Sequence, residues 1–273
     1  MILNSTVHVG AELPFKIIHL SDTHFTLVDS RDNEEKHRMA ASRRKIFPLS
    51  ETVRDTALML SRELNAPIMH TGDYYDFLSY GNFDEIRRFI DENDVFYAAG
   101  NHDFSHYLGE ETETEEYKLR SYRDVQALHK NNIRMSSRII NGVNFVALDD
   151  SYFQFHSDHE KYLLSESEKH LPMVLLFHKP VNCSELLAFA READRVGCLV
   201  SPPSWSYEGK NDDWCAEHTP DDVTLRTVEL INSMPQVKCI INGHMHENFV
   251  CRNDSGVPVI LTAHDTVRVI EFT

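Results

Sequence analysis

A chain of 273 residues with 41% hydrophobic content can fill one large domain or two small ones, and its net charge of −16 speaks against non-specific binding to nucleic acid. No stretch approaches the ~20 apolar residues of a membrane span, and the first fifteen residues, MILNSTVHVGAELPF, lack the basic and apolar regions of a signal peptide. Five cysteines, an odd number without CxxC spacing, fit free thiols in a cytoplasmic protein better than a disulfide framework.

In chain order, FKIIHL (15–20) predicts a buried strand. Residues 25–45 are polar and charged and predict a long loop or small insertion. Val53, Ala57, Leu60 and Leu64 recur at helical spacing, so 50–64 predicts a helix ended by Pro67. APIMHTGD and VFYAAG predict the second and third strands, with NFDEIRRFIDEN a helix between them. That alternation argues for βαβ units and a parallel sheet in an α/β protein. The acidic run GEETETEEY (109–117) predicts a solvated helix face. RIINGVNFVALDD carries Asn-Gly between apolar runs, a hairpin signal. PMVLLFH predicts a strand and CSELLAFARE a helix. Residues 201–222, with three prolines and two tryptophans, predict a long functional loop, after which Thr219 as N-cap and Pro220 at the first position would open a helix. VKCIIN, NFVCR, VPVILTA and VRVIEF predict the closing strands.

The residues at the strand ends matter more than the strands themselves. The first strand leads into Asp22-Thr23-His24, the second into Gly72-Asp73-Tyr74-Tyr75-Asp76, and the third into Gly100-Asn101-His102-Asp103. PMVLLF leads into His178, and VKCIIN into Gly243-His244-Met245-His246. His244 and His246 alone are compatible with a metal clamp or with ordinary loop histidines. Five apolar strands each ending in metal-capable groups form a pattern, because ligands of open α/β sheets bind beyond the carboxyl ends of the strands.

The ordered set D-x-H, G-D-x-x-D, G-N-H-D, H, G-H-x-H resembles the calcineurin-like metallophosphoesterase family across 22–246. The resemblance implies one domain over 1–273. Its fold would be a four-layer α/β sandwich, two central mixed β-sheets flanked by helices, with a dinuclear metal site at the strand C-terminal ends. It assigns one ion to Asp22, His24 and His246, the other to Asn101, His178 and His244, and the bridging carboxylate to Asp73. His102 would be the general acid or a transition-state donor, with Asp76 accepting from its other nitrogen. Imidazole and carboxylate ligands suit manganese, iron or zinc better than an all-oxygen cage would. Two such ions stabilise attacking and leaving oxygens, and a hydroxide between them is the expected nucleophile. They also keep the site locally positive inside an acidic protein.

Other residues carry blander readings. His178 taken alone is a satisfied strand-end histidine, and Asp76 taken alone a helix cap. His19 and His70 read as structural, Asp103 as the holder of its own turn, and Tyr74 and Tyr75 as packing. Arg38, Arg43, Arg44 and Lys45 read as a solvated cluster before they read as a grip on a substrate phosphate, and Trp205, Trp214 and His218 as anchors of their loop or as stacking partners for a base or sugar. Protein Ser/Thr phosphatases of the family carry arginine where this chain has Phe77 and Ala99, which argues against a protein phosphatase. The G-N-H-D form resembles bacterial cyclic-nucleotide-type phosphodiesterases. The expected partner is therefore a small phosphoester, preferably a diester, with a phosphomonoesterase and a metal-retaining binding scaffold as alternatives. Neither a membrane nor bulk nucleic acid is expected as a partner, and oligomeric state is not legible.

Overall fold

The computed structural model describes residues 1–110 and 113–273. In chain order the elements are β1 (Ile2–Val7), β2 (Phe15–Leu20), α1 (Glu34–Arg43), α2 (Ser50–Leu64), β3 (Ile68–His70), α3 (Tyr80–Glu92), β4 (Val95–Tyr97) and α4 (Glu115–Gln126). Then come β5 (Met135–Ile140), β6 (Val143–Leu148), α5 (Ser157–Ser167), β7 (Met173–Leu176), α6 (Ser184–Glu192), α7 (Asp212–His218), α8 (Asp222–Ser233), β8 (Val237–Asn242), β9 (Phe249–Arg252), β10 (Pro258–Leu261) and β11 (Val267–Phe272). Among the described residues the strands form two mixed sheets, ordered β1-β11-β2-β3-β4 and β5-β6-β7-β8-β10-β9. β2, β3 and β4 run parallel, as do β6, β7, β8 and β10.

The two-residue period of the strands sorts the core into layers. On β7, Val174 and Leu176 face the other sheet, where they meet Ile17, Met69 and Ile270, while Met173 and Leu175 face helices α5, α6 and α8. On β2, Ile17 joins the inter-sheet core, while Ile18 and Leu20 pack under α2 and α3. Three apolar layers thus separate four layers of secondary structure, helix–sheet–sheet–helix, which is the expected α/β sandwich.

Several local expectations fail for physical reasons. Residues 25–45 contain helix α1. Asn33 caps it by accepting from the Lys36 N–H, Glu34 and Glu35 sit in its first turn and Arg43 in its last, and only Ala40 is buried. It is held by capping and charge rather than by an apolar face. Helix α8 begins after Asp221, whose carboxylate accepts the Thr224 N–H at 2.6 Å, so Thr219 and Pro220 lie before the cap. The segment 201–222 contains α7 and a short 3-10 turn, Ser204–Tyr207. In the acidic run, Glu111 and Thr112 lie outside the described residues, and α4 starts only at Glu115, capped by Thr114. Strand β1, pairing in parallel with β11, and helix α5 were not anticipated. The Asn141-Gly142 hairpin, both residues at positive φ, is present between β5 and β6. The five cysteines are unpaired. Among the described residues no helix is long and apolar enough to cross a membrane.

Candidate metal centre

The parallel strands of both sheets aim their carboxyl ends at one edge of the molecule. From the first sheet, the end of β2 carries Asp22 and His24, the end of β3 carries Asp73 and Asp76, and the end of β4 carries Asn101 and His102. From the second, β7 delivers His178 and β8 delivers His244 and His246. The backbone at these ends is unusual, because Asp22, His24, Asp73, His244 and His246 all have φ between 47° and 64°. That left-handed region is uncommon for residues other than glycine and clusters at functional sites. Two glycines allow the close approach. A Cβ on Gly100 would stand 2.8 Å from Cγ of Asp73, and one on Gly243 would run into Asp22 and stand 2.6 Å from Cβ of Ser21.

The expected ligands converge in two groups, Asp22 with His24 and His246, and Asp73 with His178 and His244, while a third group joins His24 to Asp76 and His102. Nε2 of His24 lies 3.0 Å from Nε2 of His246, and Nε2 of His178 lies 3.1 Å from Nδ1 of His244. Oδ2 of Asp73 sits between the groups, 3.2 Å from Nε2 of His178 and 3.8 Å from Nε2 of His24. His178 donates its Nδ1–H to the Thr71 carbonyl at 2.6 Å, which leaves Nε2 with its lone pair toward the centre. Oδ2 of Asp22 accepts the His244 N–H at 2.9 Å, whereas Oδ1 of Asp22 is buried without a partner. Oδ1 of Asn101 is likewise buried and unpartnered. Orphaned buried oxygens beside converging imidazoles form a donor set for cations. The seven residues therefore fit a pair of metal ions.

Electrostatics points the same way. Burial opposes charge on His24, but the surrounding carboxylates of Asp22, Asp76 and Asp73 raise its pKa to about 10. His178 behaves similarly. Burial lowers its pKa, the charges of Asp73 and Asp22 raise it more, and it stands at about 9. Burial would raise Asp22 and Asp73, yet the histidines around them hold both below the usual carboxylate range. The centre thus draws in positive charge. His244 is the exception, pushed well down by burial and by the neighbouring Lys179 and His178.

The expected pairing of Asp76 with His102 is corrected in one respect. Nδ1 of His102 donates to the backbone carbonyl of Asp76 at 2.8 Å, and the carboxylate stands farther off at 3.4 Å. That carboxylate lies 2.9 Å from Nδ1 of His24 and takes a two-pronged contact from Arg43, with Nε at 2.5 Å and a terminal nitrogen at 2.9 Å. Arg43 therefore leaves the solvated cluster expected for it. It lies over Phe47, whose ring stacks on His24 at 4.1 Å. Arg38 pairs with Glu34 in solvent.

Sequence reasoning named Asp103 as the holder of its own turn and His218 as an anchor, but missed Lys179 and the inward-facing Glu113. Asp103 is fully buried and accepts from the amides of Gly100 and Asp73 and from the Tyr97 hydroxyl. Burial and the charge of Asp73 push its pKa up to about 7. Lys179, just after β7, is 1% exposed, with Nζ 3.4 Å from Nε2 of His244 and 3.4 Å from the centre of the Phe153 ring. Glu113 accepts from Nδ2 of Asn101 at 2.8 Å and stands 3.6 Å from Nζ of Lys179, so this part of the acidic run faces the centre. His218 stacks on Trp214 at 3.8 Å and packs on Phe153 at 4.1 Å, anchoring α7 against this side. His19 and His70 are buried among strand-end polar groups, outside the two ligand clusters. Tyr74 and Tyr75 are fully buried in the core.

This arrangement of strand-end aspartates, histidines and an asparagine defines a class, the dinuclear-metal phosphoesterases. The sequence profile of the calcineurin-like phosphoesterases matches residues 15–248, and the chain belongs to that family. It is a hydrolase acting on phosphoesters, and the family works with a dinuclear metal centre. Among solved structures it is similar to a dimetal phosphatase from Danio rerio, at 15% identity and TM-score 0.53, covering 91% of this chain and 87% of that one. Also similar are the phosphopantetheinyl hydrolase of Mycobacterium tuberculosis (10% identity, TM-score 0.44, 96% and 90% covered) and the NAD nucleotidase of Haemophilus influenzae (10%, 0.46, 96% and 48%). At these identities the likeness is one of fold. No curated protein matches the chain.

Proposed function

We propose that this chain hydrolyses a small phosphodiester, a nucleotide or related ester, at the Asp22–His246 centre. When bound, the two ions supply Lewis-acid stabilisation and a nucleophile at neutral pH. Asp22, His24 and His246 hold one and Asn101, His178 and His244 the other, with Asp73 shared between them.

The observation that carries the preference for a diester is that two cations beside the centre, Arg43 and Lys179, are already paired with carboxylates. A monoester dianion asks for a further positive group on its extra oxygen charge, and arginine forks are the usual answer. Phe77 and Ala99, where family phosphatases carry arginines, are fully buried. The fork of Arg43 is committed to the Asp76 carboxylate, and Lys179 is enclosed between Glu113 and the Phe153 ring. A diester monoanion needs no such group. His102 donates Nδ1–H to a carbonyl, so Nε2 is its free nitrogen and serves the leaving oxygen as proton donor once protonated. The test is hydrolysis of bis-p-nitrophenyl phosphate against p-nitrophenyl phosphate by manganese-loaded protein. A kcat/KM larger for the diester is expected. A larger value for the monoester selects the monoesterase, and two bound ions with no hydrolysis of any ester selects a binding scaffold.

A further inference from the structure

Asn101 raises a problem of orientation. Its amide oxygen and nitrogen are nearly the same size, so packing alone does not fix which one faces a metal. If the amide turned over, two N–H donors would point at the cation and the ligand would be lost. Here Oδ1 is buried and unpartnered, whereas Nδ2 donates at 2.8 Å to Oε1 of Glu113. The turned-over amide would set its carbonyl oxygen against a carboxylate. Glu113 thus decides the matter electrostatically.

Glu113 is itself held from two sides. Its Oε2 lies 3.6 Å from the ammonium of Lys179, and its backbone N–H donates to Oε1 of Glu217 on α7 at 2.6 Å. Its side chain is only 25% exposed, although it comes from the acidic segment before α4. Nothing in the phosphoesterase motifs accounts for this carboxylate. Resting on the dinuclear reading above, we propose that Glu113 is a positioning residue, braced by Lys179 and by Glu217, that keeps Oδ1 of Asn101 aimed at the metal it shares with His178 and His244. The segment 201–222 then contributes to metal retention through Glu217.

Carboxylates that orient a ligand typically account for 10–100-fold in metal affinity. The test is calorimetric titration of the metal-free chain with Mn²⁺, in wild type, Glu113→Ala, Glu113→Gln, Asn101→Ala and the Glu113→Ala/Asn101→Ala double variant. The Ala variant is expected to weaken one of the two binding events by about 10–100-fold and to leave the other within about twofold. The Gln variant, whose amide oxygen still accepts from Nδ2 of Asn101, is expected to recover most of that loss. The double variant is expected to match Asn101→Ala alone, because the glutamate acts only through the asparagine. Additive losses in the double variant, equal weakening of both events, or Gln no better than Ala would each overturn the proposal. Wild type binding fewer than two ions would instead overturn the dinuclear reading, a failure visible before any Glu113 variant is made.

Discussion

Replacing Asp76 with asparagine tests whether its carboxylate serves His24 rather than His102. Oδ1 faces Nδ1 of His24 at 2.9 Å and a terminal nitrogen of Arg43 at 2.9 Å, while Oδ2 faces Nε of Arg43 at 2.5 Å. An asparagine offers one acceptor and no negative charge to these three nitrogens, and its NH₂ must point at one of them. Leaving His24 unoriented should weaken the ion it holds by 10–100-fold, about 1.4–2.7 kcal/mol, while the ion held by His178 stays as it was. Metal-free stability should also fall. Breaking a buried ion pair costs ~3–5 kcal/mol, and Arg43 at 25% exposure can turn toward water, so about 2–3 kcal/mol is expected. The assay is Mn²⁺ titration together with urea unfolding of the metal-free chain, with Arg43→Ala as the control that keeps the His24 contact. Asp76→Asn and His24→Ala should be non-additive in metal affinity, and Asp76→Asn with Asn101→Ala additive. Unchanged affinity for both ions, or a loss coupled to Asn101 instead of His24, would refute the assignment.

Three other outcomes are expected from the same geometry. Asp73→Ala should remove both ions, because Oδ2 lies between the two clusters, and elemental analysis finding two ions per chain would refute its shared role. His102→Asn should keep both ions but slow alkyl diesters by about 10²–10⁴-fold and nitrophenyl diesters far less, since only the basic leaving group needs a proton. A loss uniform across a series of graded leaving groups would make His102 a donor to the phosphoryl oxygens instead. Away from the centre, burial depresses the pKa of His129 from 6.5 to about 3, and neither of its ring nitrogens has a partner. The unfolded chain therefore takes up a proton that the folded one refuses, so stability is full above pH 6.5 and falls as pH drops toward 3. His129→Phe should remove about 2 kcal/mol of the difference between urea stabilities at pH 8 and pH 5, and an unchanged difference would count against this.

The strand-end motifs were legible because apolar runs with period two announce strands, and the ligands come directly after them. Each of the seven candidate ligands lies within a few residues of a strand that the pattern identified. Arg43, Glu113 and Lys179 were not legible for a common reason. Each comes from sequence that a charge pattern assigns to solvent or a strand pattern leaves unmarked, and each is turned inward by a partner distant in the chain. Arg43 meets Asp76 across 33 positions, and Glu113 meets Lys179 between the two halves of the fold. Helix α1 escaped because helical periodicity reports an apolar face, and α1 buries only Ala40. The loop reading of 201–222 failed in part because α7 is short and capped by a side chain, Asn211, rather than marked by repeat spacing.

The backbone at the ligands joins these observations. Five of the seven stand in the left-handed region, where an L-residue gives up roughly 1–2 kcal/mol. Aspartate is among the residues that tolerate it best, and histidine is several-fold enriched there, so the same side chains suit both the backbone and the metal. Such a conformation persists only where the surroundings over-determine it. Gly100 and Gly243 provide that by letting Asp73 and Asp22 seat where a Cβ would stand. Asn101 and His178 have no positive φ and depend on hydrogen bonds instead, to Glu113 and to the Thr71 carbonyl. The ion proposed for Asn101, His178 and His244 would therefore have fewer ligands fixed by backbone strain and more fixed by hydrogen bonds. It is the ion whose affinity should be the more sensitive to single substitutions outside the ligand set.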